Sequence, residues 1–210
     1  MIRENSGKFF RFKLDFGLGY GFAEVYDFSD EYPVDGNIVF VYKRVDEEIK
    51  KNYNSSEITS SGIGLGPITL AGHPNSRGVG AWKYLFKSDT FLIEERPITK
   101  DAQDLNPLIY NWDTLKQWHK SDWDTKRGPI YVRHNDVRSL ETRIINSTSG
   151  VVKKTTMKKI IDEDKNLVKY YDLSKLGNRN MFLQLINTYY SADKTESLIG
   201  LISIDQDEDL

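Results

Sequence analysis

"GKFFRFKLDFGLGYGFAEVYDF", residues Gly7 to Phe28, sets phenylalanine and tyrosine rings among glycines and charges, and its periodicity decides the fold. Phe10, Phe12, Leu14 and Phe16 alternate with Arg11, Lys13 and Asp15. A period of two belongs to a half-buried strand, because successive residues of an extended chain project to opposite faces. Gly17, Gly19 and Gly21 then allow a tight reversal with positive φ, and Phe22 to Phe28 is expected to return as the second strand of a hairpin. Asp35-Gly36 marks another turn before "NIVFVYK", a continuous apolar run of the kind covered on both faces. Three antiparallel strands follow, with the rings filling the core they enclose.

Working outward, the polar stretch from Val45 to Gly62 is expected to hold a short helix at its start and a loop after it. "SGIGLGP", residues 61 to 67, lacks the Lys-Ser or Lys-Thr of a phosphate loop and is expected to be a strand connection. "GIGLGPITLAG" and "GAWKYLFKSDTFLIEERPI" offer further strands, divided by His73-Pro74 and Ser88-Asp89. The N-terminal part is therefore expected to be an antiparallel, strongly bent sheet or small barrel, followed by a more helical C-terminal half, an α+β fold. "PITKDAQD" marks the boundary, giving a β-rich domain over 1–98 and a mixed, mainly helical extension packed on it over 99–210. Asn106-Pro107 is a good helix start, and Leu108, Trp112, Leu115 and His119 then share one face of a helix expected over Pro107 to Lys120. "GPIYVRHN" predicts a strand, and the spacings predict helices over Val137–Ile145 and residues 179–190. Residues 154–171 fit either a helix or a hairpin turning at "DEDKN", and Asp193 with Glu196 is expected to open a last helix before the acidic tail "DQDEDL".

The chain of 210 residues carries 39% hydrophobic and 29% charged residues, an ordinary globular composition. Its 29 basic against 31 acidic residues leave a formal charge of −2, so no global basic field exists to draw in nucleic acid or an anionic membrane. Without cysteine, neither disulfides nor thiolate metal sites are available, which suits a reducing compartment. "MIRENSGKFFRFKL" has no apolar signal region, and no run reaches the roughly 18 apolar residues of a membrane span. The expected location is the cytoplasm.

No catalytic signature accompanies these features. The three histidines, His73, His119 and His134, have no metal-ligand spacing, and neither a metal nor another cofactor is expected. His134 with Asp136 and Glu141 is the one grouping compatible with hydrolysis, but it lacks a nucleophile or oxyanion donor, so no enzyme is expected. The most unusual stretch is "WDTLKQWHKSDWD", where Trp112, Trp118 and Trp123 alternate with Asp113, Asp122 and Asp124. Aromatic anchors bordered by charge are what interfaces use for their strongest contacts, making these residues the candidate partner-binding set. The competing interpretation places Trp112 with Leu115 in a core and leaves the aspartates as a solvated rim. Acidic groups at 47–48, 94–95 and 205–209, if gathered on one face, would steer a basic partner. A small-ligand or carbohydrate-binding module using exposed Tyr and Trp rings is the alternative function.

In their order, "GKFFRFKLDFGLGYGFAEVYDF", "GNIVFVYK" and "GAWKYLFKSDTFLIEERP" resemble a bacterial immunity-protein family, immunity protein 26 of polymorphic toxin systems. The resemblance lies in a first strand of the type G-x-F-F-x-h-x-L, here Gly7 to Leu14, a glycine-rich turn, a second strand, and a later G-x-W, here Gly80-Ala81-Trp82, running toward Pro97. It covers residues 6–98 and leaves 99–210 uncovered. It implies a cytoplasmic inhibitor that binds a cognate toxin and occludes or distorts its active site without a cofactor; a basic nuclease-like domain is the partner that the acidic groups, gathered on one face, would steer. No catalytic residue is carried over.

Overall fold

Residues 7–28 form the hairpin at the middle of a five-stranded antiparallel sheet. Strand β1 (Lys8–Lys13) pairs with β2 (Tyr20–Asp27) from Lys8 opposite Val25 to Lys13 opposite Tyr20. The structure, a computed structural model, describes residues 6–28, 36–74, 76–77, 81–90, 92–93, 99–102, 118–121, 130–132, 139–141 and 146–202. Strands β3 (Asn37–Asp46), β4 (Ile63–Leu70) and β5 (Trp82–Lys87) complete the order β4-β3-β2-β1-β5. The sheet is open, with β4 and β5 as its edges, so the barrel is not formed. Register shifts at Phe9/Phe10, Gly21/Ala23 and Val39/Val41 are where such a sheet bends, because a bulge adds local twist. "IGLGP", residues 63–67, belongs to β4 itself rather than to a connection.

The hairpin turn shows why its glycines are needed. Gly19 has φ 102, and a Cβ there would lie 2.6 Å from the Asp46 carbonyl oxygen; a Cβ on Gly21 would lie 2.7 Å from the Phe12 ring. The same turn removes Phe16 from the face it was expected to share with Phe10, Phe12 and Leu14. Residues Asp15–Gly17 form a 3-10 turn with Phe16 at φ 58, so alternation ceases to apply, and Phe16 is 55% exposed, edge-on to Tyr170 and Tyr171.

Helix α1 (Ser55–Thr59) lies at the end of the polar stretch rather than its start, because β3 continues to Asp46 and Asn54 supplies the cap, its side chain accepting the Glu57 N–H. Helix α2 (Thr148–Asp162) settles the ambiguous segment as helix through Asp162, followed by a turn and a 3-10 turn at Leu167–Lys169. Helices α3 (Leu176–Tyr189) and α4 (Ala192–Ile199) follow, and α4 is capped by Ser191 accepting the Lys194 N–H, not by Asp193 with Glu196. The fold is thus α+β, with helices in the C-terminal half.

A second antiparallel sheet of three strands, order β6-β7-β8, comprises β6 (Thr99–Ala102), β7 (Trp118–Ser121) and β8 (Ile130–Val132). Strand β8 falls in "GPIYVRHN" as expected. Strand β7 corrects the last turn of the expected helix Pro107–Lys120: residues 118–121 pair with a strand on each side, and that pairing prevails over helical spacing. The rest of that helix lies outside the described residues. Within 137–145, Ser139 and Leu140 form a turn and bend, and apart from Glu141 the remainder is likewise outside them.

One face of the large sheet carries Phe10, Phe12, Leu14, Val25, Val39, Val41 and Trp82, packed with Met157 and Ile160 of α2 and Phe182 and Leu185 of α3. Phe12 and Trp82 are each 1% exposed and stack at 4.8 Å, a contact that adds about 0.5–1.5 kcal/mol to simple burial. The opposite face carries Phe9, Phe22 and Tyr42 with Ile58 of α1, then Tyr26, Phe28, Ile38 and Phe40. At the central hairpin both faces are therefore apolar, and the outer one is roofed by the short α1 and partly buried neighbours such as Tyr53, Phe86 and Ile93.

Candidate functional site

Alternate positions of β2 place Phe22, Glu24, Tyr26 and Phe28 on the outer face. Glu24 is 2% exposed. Tyr26, two residues along the same strand, donates its hydroxyl to Oε1 at 2.6 Å. Tyr42 donates to Oε2 at 2.6 Å from β3, where Glu24 is paired with Phe40 and Tyr42 is the diagonal neighbour. The Tyr26 oxygen also accepts the Leu92 N–H. Burial pushes the Glu24 carboxyl above its ordinary range, against the lowering effect of the two phenols. Both phenols are pushed up as well, by burial first and then by their carboxylate acceptor. Among the described residues no Lys, Arg or His forms an ion pair with Glu24. A cavity of about 260 Å³ opens on it, with Ser55, Ser56 and Thr59 of α1 and Ser88 and Thr90 supplying hydroxyls, and Phe9 and Leu92 apolar walls.

A larger groove of about 610 Å³ flanks the same aromatic cluster, lined by Arg11, Lys50, Lys51, Lys83, Tyr53 and Tyr84. Arg11 and Lys83 are register partners on β1 and β5, and the loop after β3 brings the other lysines. The Arg11 guanidinium lies 5.3 Å from the Tyr20 ring centroid and 5.9 Å from that of Tyr53, which holds the cation against aromatic faces. Lys50 approaches Glu57 at 4.0 Å, whereas Arg11, Lys51 and Lys83 form no ion pair among the described residues. Tyr84 is 48% exposed and Ile49 also reaches solvent. A third hollow, between the sheet and α2, is lined by Lys43 and by Lys158, Lys159, Asp162 and Glu163, the last four of which pair with one another.

Of the residues singled out in the sequence, Trp112, Asp113, Asp122, Trp123 and Asp124 lie outside the described residues. Trp118 is on β7, as is His119, rather than on a helix. His134 and Asp136 also lie outside, while Glu141 is buried and bonded to Lys154 and Tyr189, a structural pairing. His73 is exposed in a bend, 3.9 Å from Asp27. Among the described residues no three His, Cys, Asp or Glu side chains gather to hold a metal ion, and no helix is long and apolar enough to cross a membrane. The sequence contained a signal for Glu24: it is the one acidic residue in a period-two series of rings, Phe22, Tyr26 and Phe28. For the groove, the signal was the basic set at 11, 50, 51 and 83, scattered along the chain and masked by a near-neutral net charge.

In comparisons with known proteins, no family model, curated protein or solved structure matches the chain.

Proposed function

We propose that this chain is an immunity protein, a non-enzymatic cytoplasmic inhibitor that binds and neutralises a cognate bacterial toxin domain by protein–protein contact. The observation that carries this reading is the open groove of Arg11, Lys51 and Lys83 with Tyr53 and Tyr84, on the sheet face that bears no long helix among the described residues. Arginine and tyrosine are the residues on which interfaces concentrate binding energy, and cations without an internal partner are free to meet carboxylates of another protein. The resemblance of residues 6–98 to immunity protein 26 supplies the class of partner. The groove itself calls for acidic groups on the partner, and a partner of basic, nuclease-like character would meet instead the exposed Glu47 and Glu48 in the same loop.

The test is growth of bacteria in which a toxin domain encoded beside this chain is induced, with and without the chain co-expressed. Rescue of growth and a co-purifying complex are expected, and Arg11→Glu with Lys83→Glu should weaken that complex by about tenfold or more. Toxicity that persists with the chain present, and no complex, would overturn the reading. One observation favours the alternative of a small-ligand module, the cavity over Glu24.

A further inference from the structure

Glu24 is a carboxylate taken out of water and left without a cation among the described residues. An ionised carboxyl has about four acceptor positions. Tyr26 and Tyr42 occupy two of them. A buried charge is ordinarily paired, and here the space beside it is a cavity rather than packed side chains. The lining also rules on ligand type. Among the described residues Glu24 is its only charged member, so these residues repel an anion, and they offer too few oxygens to a hard divalent ion, which takes six or more with several carboxylates among them. The hydroxyls of Ser55, Ser56, Thr59, Ser88 and Thr90 accept N–H groups, and Phe9 and Leu92 fit an alkyl stem.

We propose that the cavity over Glu24 is a binding site for a cationic nitrogen donor, an alkylammonium or alkylguanidinium group, which enters beside α1 and pairs with the carboxylate. The donor has two possible sources, a free amine and a Lys or Arg side chain of a protein partner; the second rests on the function proposed above.

The experiment uses the full chain and two small probes, n-propylguanidinium and its uncharged analogue n-propylurea, with binding followed by NMR titration. The guanidinium is expected to bind about tenfold tighter than the urea, whose carbonyl oxygen replaces the cationic NH2 and so removes the charge and two donors, and Glu24→Gln should lose about tenfold or more of that affinity. Thr59→Lys, which tethers an ammonium at the rim of the cavity on exposed α1, should also exclude the probe. Equal binding of the two probes, or undiminished binding to a folded Glu24→Gln, overturns the site. If Glu24→Gln does not fold, Thr59→Lys decides: loss of the probe supports the site and unchanged binding overturns it. A separate arm measures the toxin complex. Weakening by Glu24→Gln assigns the donor to the partner, whereas unchanged toxin affinity with probe binding intact assigns it to a free amine. Failure of any toxin to bind overturns the proposed function and leaves the probe result standing.

Discussion

Two carboxylates, Glu24 and Glu141, are buried to the same degree, each 2% exposed, and each accepts a tyrosine hydroxyl. Their surroundings differ in one respect. Glu141 faces Lys154 of α2, itself 1% exposed, and Tyr189 of α3, whose oxygen accepts the Gly66 N–H of β4 at 2.9 Å. The cluster therefore joins residue 141, two helices and an edge strand through groups that satisfy one another. Among the described residues Glu24 has two phenols, no lysine and a cavity. An internal ion pair that closes on itself serves the fold, while a buried charge left beside empty space is available to a ligand.

The largest expected effect comes from breaking the closed pair. Lys154→Met fits the apolar surroundings but strands the Glu141 charge, and removal of one member of a buried pair costs about 3–5 kcal/mol. Chemical denaturation should show it, with a lower midpoint at unchanged slope. Adding Glu141→Gln removes the stranded charge and should recover much of the loss. A loss below about 1 kcal/mol in the single variant would mean that the pair is not desolvated, and the contrast with Glu24 would fail.

How far the two sites were legible in the sequence follows from the same contrast. The hairpin of Lys8–Asp27 was readable because period two and glycines that must take positive φ are local signals. Phe16 was misplaced because it sits where the chain leaves the extended conformation, and the turn geometry, not the pattern, orients its ring. Trp118 fell inside an expected helix because Leu108, Trp112, Leu115 and His119 recur at helical spacing, and the strands at 99–102 and 130–132 that pair with it are remote in sequence. Neither carboxylate site could be completed from local sequence. Lys154 looks like a solvated helix lysine until Glu141 and Tyr189 are brought to it, and Glu24, marked locally as the one acid among alternating rings, becomes a site only when Tyr42 and the hydroxyls of α1 arrive from other elements.

The roof of the open site is tested by Asn54→Ala. The Asn54 side chain accepts the Glu57 N–H at 2.8 Å and starts the short helix that carries Ser55, Ser56 and Thr59. Loss of such a cap costs about 1 kcal/mol. Faster amide exchange within α1, with the helices around Lys154 unaffected, should accompany it. Equal acceleration in both regions would show that the roof is not a separate unit.

Glu24→Gln comes next, since an amide of the same shape still accepts one tyrosine hydroxyl through its oxygen and offers N–H to the oxygen of the other tyrosine, and it is expected to cost no more than about 1 kcal/mol at neutral pH. The informative quantity is its pH dependence. The carboxyl titrates above its ordinary 4.5 in the folded chain because burial disfavours its charge. Its favourable contribution is therefore complete below 4.5 and is lost as pH rises through the raised value. Relative to wild type, Glu24→Gln should gain stability from acid to neutral pH. A flat difference across that range would place Glu24 in contact with water and remove the basis of the contrast.

The smallest effect is expected from a lysine–carboxylate pair on the same helix as Lys154. Lys159 bonds Glu163, the residue that caps the C-terminus of α2, and there both side chains keep partial contact with solvent. Lys159 and then Lys165 hold the Glu163 carboxyl below its ordinary 4.5. This contribution has the opposite sign from that of Glu24, being present above 4.5 and fading as pH falls through the lowered value. An exposed i,i+4 pair is worth only about 0.3–0.5 kcal/mol, so Lys159→Gln should barely shift the denaturation midpoint, and added salt should erase what shift there is. Lys154→Met should keep its cost in the same salt, because water and ions do not reach Glu141. If the two variants responded alike, the energetic difference between the pairs would not come from burial, and the inference drawn from an unpaired buried Glu24 would lose its physical ground.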